Sequence, residues 1–178
     1  MSTSTLRSLP HRWLIAAVAL LAALALSVWF VGSTWRVVPS PVPAVVFTTI
    51  KGEKISLLSL KGRVVLVNFW APSCAPCVRE MPMLSDTYSR LHARGLEVIA
   101  VAASYDPPNI VVDYAETRHL PFAVALDIGD GVAHAFGGLR AVPSTFLISR
   151  DGRIVERIDG ALDPAKLQQL LERQLGPG

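Results

Sequence analysis

At 178 residues the chain suits one domain with additions, and 51% of it is hydrophobic, part of that concentrated in a single segment. The net charge of +3 does not imply nucleic acid: Arg7, Arg12, Arg36 and Lys51 all precede the first acidic residue, Glu53, and beyond them 13 basic residues face 14 acidic ones. No G-x-G-x-x-G follows a strand-like run, so a nicotinamide or flavin site is not indicated, and no internal repeat appears.

Residues 1–12 read as a short cytoplasmic N-terminus. From Trp13 to Val31 there is no charge, and at about 1.5 Å per helical residue this run can cross most or all of a bilayer's hydrocarbon core. Trp13, Trp29 and Trp35 suit the interfaces. A cleaved signal peptide is the alternative, with Arg7 and Arg12 as its basic region and Ala23-Leu24-Ala25 as a small-residue cleavage site. The apolar run outlasts an h-region of about 7–15 residues, which favours an uncleaved anchor over 13–31. The basic residues before the span bias the N-terminus inward, leaving the bulk of the chain outside the cytoplasm. Pro39, Pro41 and Pro43 make 32–44 a stiff, extended linker, and the folded domain is expected over 45–178.

Within that domain, Val45–Ile50 and Lys54–Leu57 read as a hairpin turning at Gly52. Val64–Trp70 is β-branched, aromatic and uncharged, the pattern of a strand buried on both faces. Val78, Met81, Leu84, Tyr88 and Leu91 then recur at intervals of three or four, which predicts a helix ending before Gly95. Leu96–Ala102 reads as a strand, and strand, helix, strand in this order gives a right-handed crossover and a parallel pair. After the break at Asp106-Pro107-Pro108, a helix is expected over Ile110–His119, a strand over Phe122–Leu126 and a short helix over Gly131–Phe136. Ala141–Ser149 and Ile154–Ile158, joined through Asp151-Gly152, read as an antiparallel hairpin. Asp163 as N-cap and Pro164 in the first turn begin a last helix with Leu167, Leu170, Leu171 and Leu175 on one face.

The two cysteines, Cys74 and Cys77, lie where the buried strand gives way to the helix. A thiolate at a helix start meets unpaired backbone N–H groups and the positive end of the helix dipole, which makes it a nucleophile at moderate pH. A bridge closing so small a loop is a poor staple for a domain of this size. A structural zinc site needs two more ligands, and no second C-x-x-C or histidine pair is present; His11, His92, His119 and His134 lie apart. The spacing points to dithiol/disulfide exchange.

Three stretches resemble the thioredoxin fold, and more closely the membrane-anchored TlpA/ResA-like branch of thiol-disulfide oxidoreductases: the run from Val67 to Pro82, the Val142–Ile148 strand with the following Asp151-Gly152, and the Leu126-Asp127 strand end. The resemblance spans about Val45 to Leu175. It implies an α/β thioredoxin fold, a mixed central sheet flanked by helices, with an N-terminal β-hairpin, a central insertion and one preceding transmembrane helix. It further implies that Cys74 is the exposed attacking thiol and Cys77 the buried resolving one, forming the catalytic disulfide, and that Glu80 raises the thiol pKa values. Pro143 resembles the cis-proline facing the C-x-x-C, so that Val142 and Pro143, with Trp70 and Pro76, are expected to meet the partner. Ser73 departs from the pattern, because the family usually has tryptophan there.

The expected activity is reduction of specific protein disulfides outside the cytoplasm of a bacterium, for example in cytochrome c maturation or copper-site assembly. The two thiols are the whole redox apparatus, with no bound cofactor or metal, and a membrane thiol reductase supplies the electrons. Alternatives are a disulfide oxidant or isomerase, and a copper-assembly protein using both thiols as soft ligands.

Overall fold

The computed structural model describes residues 40–176, together with Ile15, Ala16, Val18 and residues 20–22. Those six are helical and exposed; the rest of the expected span over 13–31 lies outside the described residues. Among the described residues no helix is long and apolar enough to cross a membrane.

Among the described residues eight strands form one mixed sheet: β1 (Ser40–Pro41), β2 (Val46–Thr49), β3 (Lys54–Ser56), β4 (Val64–Trp70), β5 (Leu96–Ala102), β6 (Ala123–Leu126), β7 (Ser144–Ile148) and β8 (Arg153–Asp159). Their order across the sheet is β1-β8-β7-β4-β5-β6-β2-β3. Strands β4, β5 and β6 run parallel, while β7 and β8 on one side and β2 and β3 on the other pair antiparallel. The α-helices from residue 40 onward are α1 (Ala75–Leu91), α2 (Pro108–Thr117), α3 (Gly131–Ala135) and α4 (Pro164–Leu175).

Every residue of β4 is buried, as its uncharged, largely apolar composition favours, and its one polar side chain, Asn68, is hydrogen-bonded within the core. Side chains alternate across the sheet, so Val64, Leu66 and Trp70 meet Cys77, Met81 and Leu84 of α1 and Leu167 and Leu171 of α4. Val65, Val67 and Phe69 face the other way, against Phe47, Ile99, Phe136 and Phe146. Helix α1 is thereby held by a core on one side of the central strand. Beyond it, Gly95 adopts φ +101°, and a Cβ there would come within 3.0 Å of the Arg150 guanidinium.

Two segments differ from the sequence expectation. Residues 40 and 41, assigned to the linker, pair with Ile154 and Arg153 of β8, so the sheet extends into the proline-rich stretch. Pro41 has no N–H to donate, which an edge strand tolerates. Helix α2 begins at Pro108, two residues before the expected start, because the prolines occupy its first turn, where no intrahelical N–H is needed. The α2–β6 segment adds the parallel strand β6 beside β5.

Candidate active site

The chain leaves β4 at Trp70 and turns at once: the Cys74 N–H donates to the Ala71 carbonyl at 3.1 Å. Cys74 takes an extended conformation at the N-cap of α1, and Cys77 N–H donates to its sulfur at 3.3 Å. Pro76 lies in the first helical turn, where a missing N–H costs nothing. Cys74 and Cys77 form a disulfide with their Cα atoms 5.2 Å apart. Cys77 is fully buried in the core and Cys74 is half-buried, so partners have access to one sulfur and not the other.

The Val142–Pro143 peptide is cis. It places the Val142 carbonyl oxygen 3.7 Å from Cys74 Sγ. Pro143 itself is buried and its carbonyl accepts from Gly160 N–H at 2.8 Å, so half-buried Val142 presents this corner to a partner. Trp70 requires a correction as a partner-contact residue. Its side chain is wholly buried and its ring lies 5.2 Å from that of Tyr114 at a tilt of 52°, making it part of the floor beneath the site.

Glu80 lies one turn beyond Cys77 and is only 6% exposed. Its Oε1 accepts from Asn68 Nδ2 at 2.9 Å and its Oε2 from Leu162 N–H at 3.1 Å. Burial pushes the carboxyl pKa above its ordinary value of 4.5, while the hydrogen bonds from Leu162 and then Asn68 partly restrain it. The same Asn68 amide donates to Thr145 Oγ1 at 3.0 Å, while Asn68 Oδ1 has no partner among the described residues. A titratable group is thus built into the base of the helix carrying both sulfurs. Asn68, Thr145 and Leu162 were not singled out from sequence. Asn68 sits inside the run read as a strand, but its partners come from 12 and 77 residues away.

Ser73 also has a defined role in place of the expected indole. Its N–H and its hydroxyl both donate to Asp106, each at 2.8 Å. Asp106 read in sequence only as the start of a chain break; the structure makes it the acceptor that ties the C-x-x-C turn to the loop after β5. Of the histidines, His134 borders a groove that also includes Val142, whereas His119 lines a separate pocket with Tyr88 and Glu97. His11 lies outside the described residues.

Comparison with known proteins agrees with this geometry. The family model described as Redoxin matches residues 38–171. The thiol-disulfide oxidoreductase ResA of Bacillus thuringiensis (strain Al Hakam) is 36% identical over 132 residues, covering 74% of this chain and 75% of that protein. ResA of Geobacillus thermodenitrificans is 32% identical over 161 residues, covering 89% of this chain and 91% of that protein. Among solved structures, a thiol:disulfide interchange protein of the thioredoxin family from Chlorobium tepidum superposes with a TM-score of 0.71 at 27% identity, covering 79% of this chain and 99% of the other.

Proposed function

We propose, from the premise that this chain belongs to the redoxin family and is a protein thiol-disulfide oxidoreductase, that it works outside the bacterial cytoplasm as a reductase of specific protein disulfides. The observation that carries this reading is the asymmetry of the two sulfurs, Cys74 half-exposed beside the Val142 carbonyl and Cys77 enclosed in the core. In the reduced protein, the Cys74 thiolate attacks one sulfur of a partner disulfide, and the other partner sulfur leaves as a thiolate. Cys77, deprotonated, then attacks Cys74 Sγ, the mixed disulfide breaks, and the second partner sulfur leaves. Two electrons pass to the partner, whose two sulfurs take up protons, and the protein retains the Cys74–Cys77 disulfide.

The buried Glu80 supports this direction. When ionised, a carboxylate one turn from Cys77 disfavours the ionised thiols and opposes the helix terminus, which stabilises the oxidised protein and makes the reduced one a better donor. Burial of Glu80 makes this effect set in only as pH rises. The charge-free run over 13–31 supports a membrane tether, with a membrane thiol reductase restoring the dithiol and apocytochrome or copper-site thiols among the candidate substrates. The test is equilibration of Cys74 and Cys77 with glutathione or dithiothreitol buffers, followed by thiol trapping. A potential near the −270 mV of thioredoxin (approximately) supports the reductase, whereas one near about −120 mV marks an oxidant.

A further inference from the structure

The loop that follows β5 is fixed at both ends. Ser73 holds Asp106 through two hydrogen bonds of 2.8 Å each, and Ser104 Oγ donates to Asp130 Oδ1 at 2.6 Å. Just before the loop, the Ala103 N–H donates to the Trp70 carbonyl at 2.9 Å, at the end of the strand that leads to Cys74. Between these ties Tyr105 is 61% exposed. Its backbone freedom has been given up on folding without its ring being covered.

Tyr105 is not an isolated surface aromatic. It borders a groove of about 500 Å³ whose apolar walls include Ala103, Ala133, Leu139 and Val142, with His134 and Arg140 also lining it. Val142 belongs both to this groove and to the immediate surroundings of the attacking sulfur, with its carbonyl 3.7 Å from Cys74 Sγ. A polypeptide joined to Cys74 through a mixed disulfide has its cysteine at that point. The residues flanking that cysteine then fall against the groove that Tyr105 also borders.

We propose that Tyr105 is a specificity-determining residue for disulfide exchange: its ring walls a groove that receives an apolar side chain flanking the partner's reactive cysteine, and the Ser73–Asp106 pair holds it in place. The inference rests on the exchange chemistry above and is independent of its physiological direction. A tyrosine on a tied backbone suits this task because it supplies a large contact area with only two side-chain torsions to order.

The test uses the pre-reduced full chain and two peptides, each with one cysteine carried as a mixed disulfide with 5-thio-2-nitrobenzoate. The peptides differ only in having leucine or serine on both sides of that cysteine. Release of the coloured thiol gives a second-order rate constant for each peptide, and the leucine-to-serine ratio is the readout. The unsubstituted protein prefers leucine; Tyr105→Ala reduces the ratio about 3- to 10-fold, the size of one aromatic contact, and Tyr105→Phe retains it. A ratio of one in the unsubstituted protein, or one that survives Tyr105→Ala, overturns the proposal. A protein that shows the ratio but has an oxidant's potential loses the reductase reading and keeps this one.

Discussion

Replacing Glu80 by glutamine tests the reasoning about its buried carboxyl, because the side chain keeps its shape and loses its ionisation. In the oxidised protein the two thiols are tied in the disulfide and do not titrate, so the carboxyl can be followed without them. Folding raises its pKa above 4.5, chiefly through burial. A group raised in this way contributes its full stability below the unfolded value and loses that contribution as pH rises through the folded one. The stability of the unsubstituted protein relative to Glu80→Gln therefore falls as pH increases from about 4.5 toward neutrality. Glutamine can still accept from Leu162 N–H, and an amide flip can turn the unpartnered Asn68 Oδ1 toward its new NH₂. The cost at acid pH is accordingly small, about 1 kcal/mol. Glu80→Ala has no such repair: it orphans the Leu162 N–H and one Asn68 donor position, at about 1–3 kcal/mol each. Urea unfolding across pH, followed by tryptophan fluorescence, reads both effects. A stability advantage of the unsubstituted protein over Glu80→Gln that grows toward neutral pH would refute the argument, because it would mean that the charged carboxylate stabilises the fold.

The roles of the two sulfurs predict that reduced Cys77→Ser accumulates a stable covalent adduct with a disulfide peptide at Cys74, seen by mass spectrometry, and that Cys74→Ser accumulates none; equal adducts on both variants would contradict the assignment. Asn68→Ala removes a buried donor from Glu80 and Thr145 and is expected to lower unfolding stability by about 1–3 kcal/mol, and an unchanged urea midpoint would argue against the network. Asp106→Ala frees Ser73 at an exposed position, so stability should change by less than about 1 kcal/mol while the Ser73 amide exchanges faster with solvent; unaltered exchange would mean that the clamp does not hold the turn. Leu171→Ala, which opens the fully buried contact of α4 with the sheet, should cost about 2–5 kcal/mol in the same unfolding measurement, and a loss below that range would show that the site collapses around the smaller side chain.

Much of the fold and the centre of the site were legible from local pattern. The uncharged β-branched run over 64–70, the helical spacing from Val78 to Leu91, the turn glycines and the Asp163-Pro164 start of the last helix each report the conformation of their own neighbourhood. The C-x-x-C at the strand-to-helix junction likewise placed Cys74 near the helix start and Cys77 one turn later, because both lie within a few residues of the features that position them. The residues around these sulfurs depended instead on strand order. Pairing β4 with β7 brings Thr145 to Asn68, and packing α1 beside the segment before α4 brings Leu162 to Glu80, 82 residues away. The same assembly buries Trp70, an aromatic that motif position alone assigned to the partner surface. It also converts Asp106, a turn residue by composition, into the acceptor for Ser73, and recruits Ser40 and Pro41 to the edge of β8. Periodicity and capping express short-range steric and hydrogen-bonding preferences, so a sequence carries them openly. Which carboxylate finds which donor follows from contacts between distant segments, and the tertiary structure alone decides these.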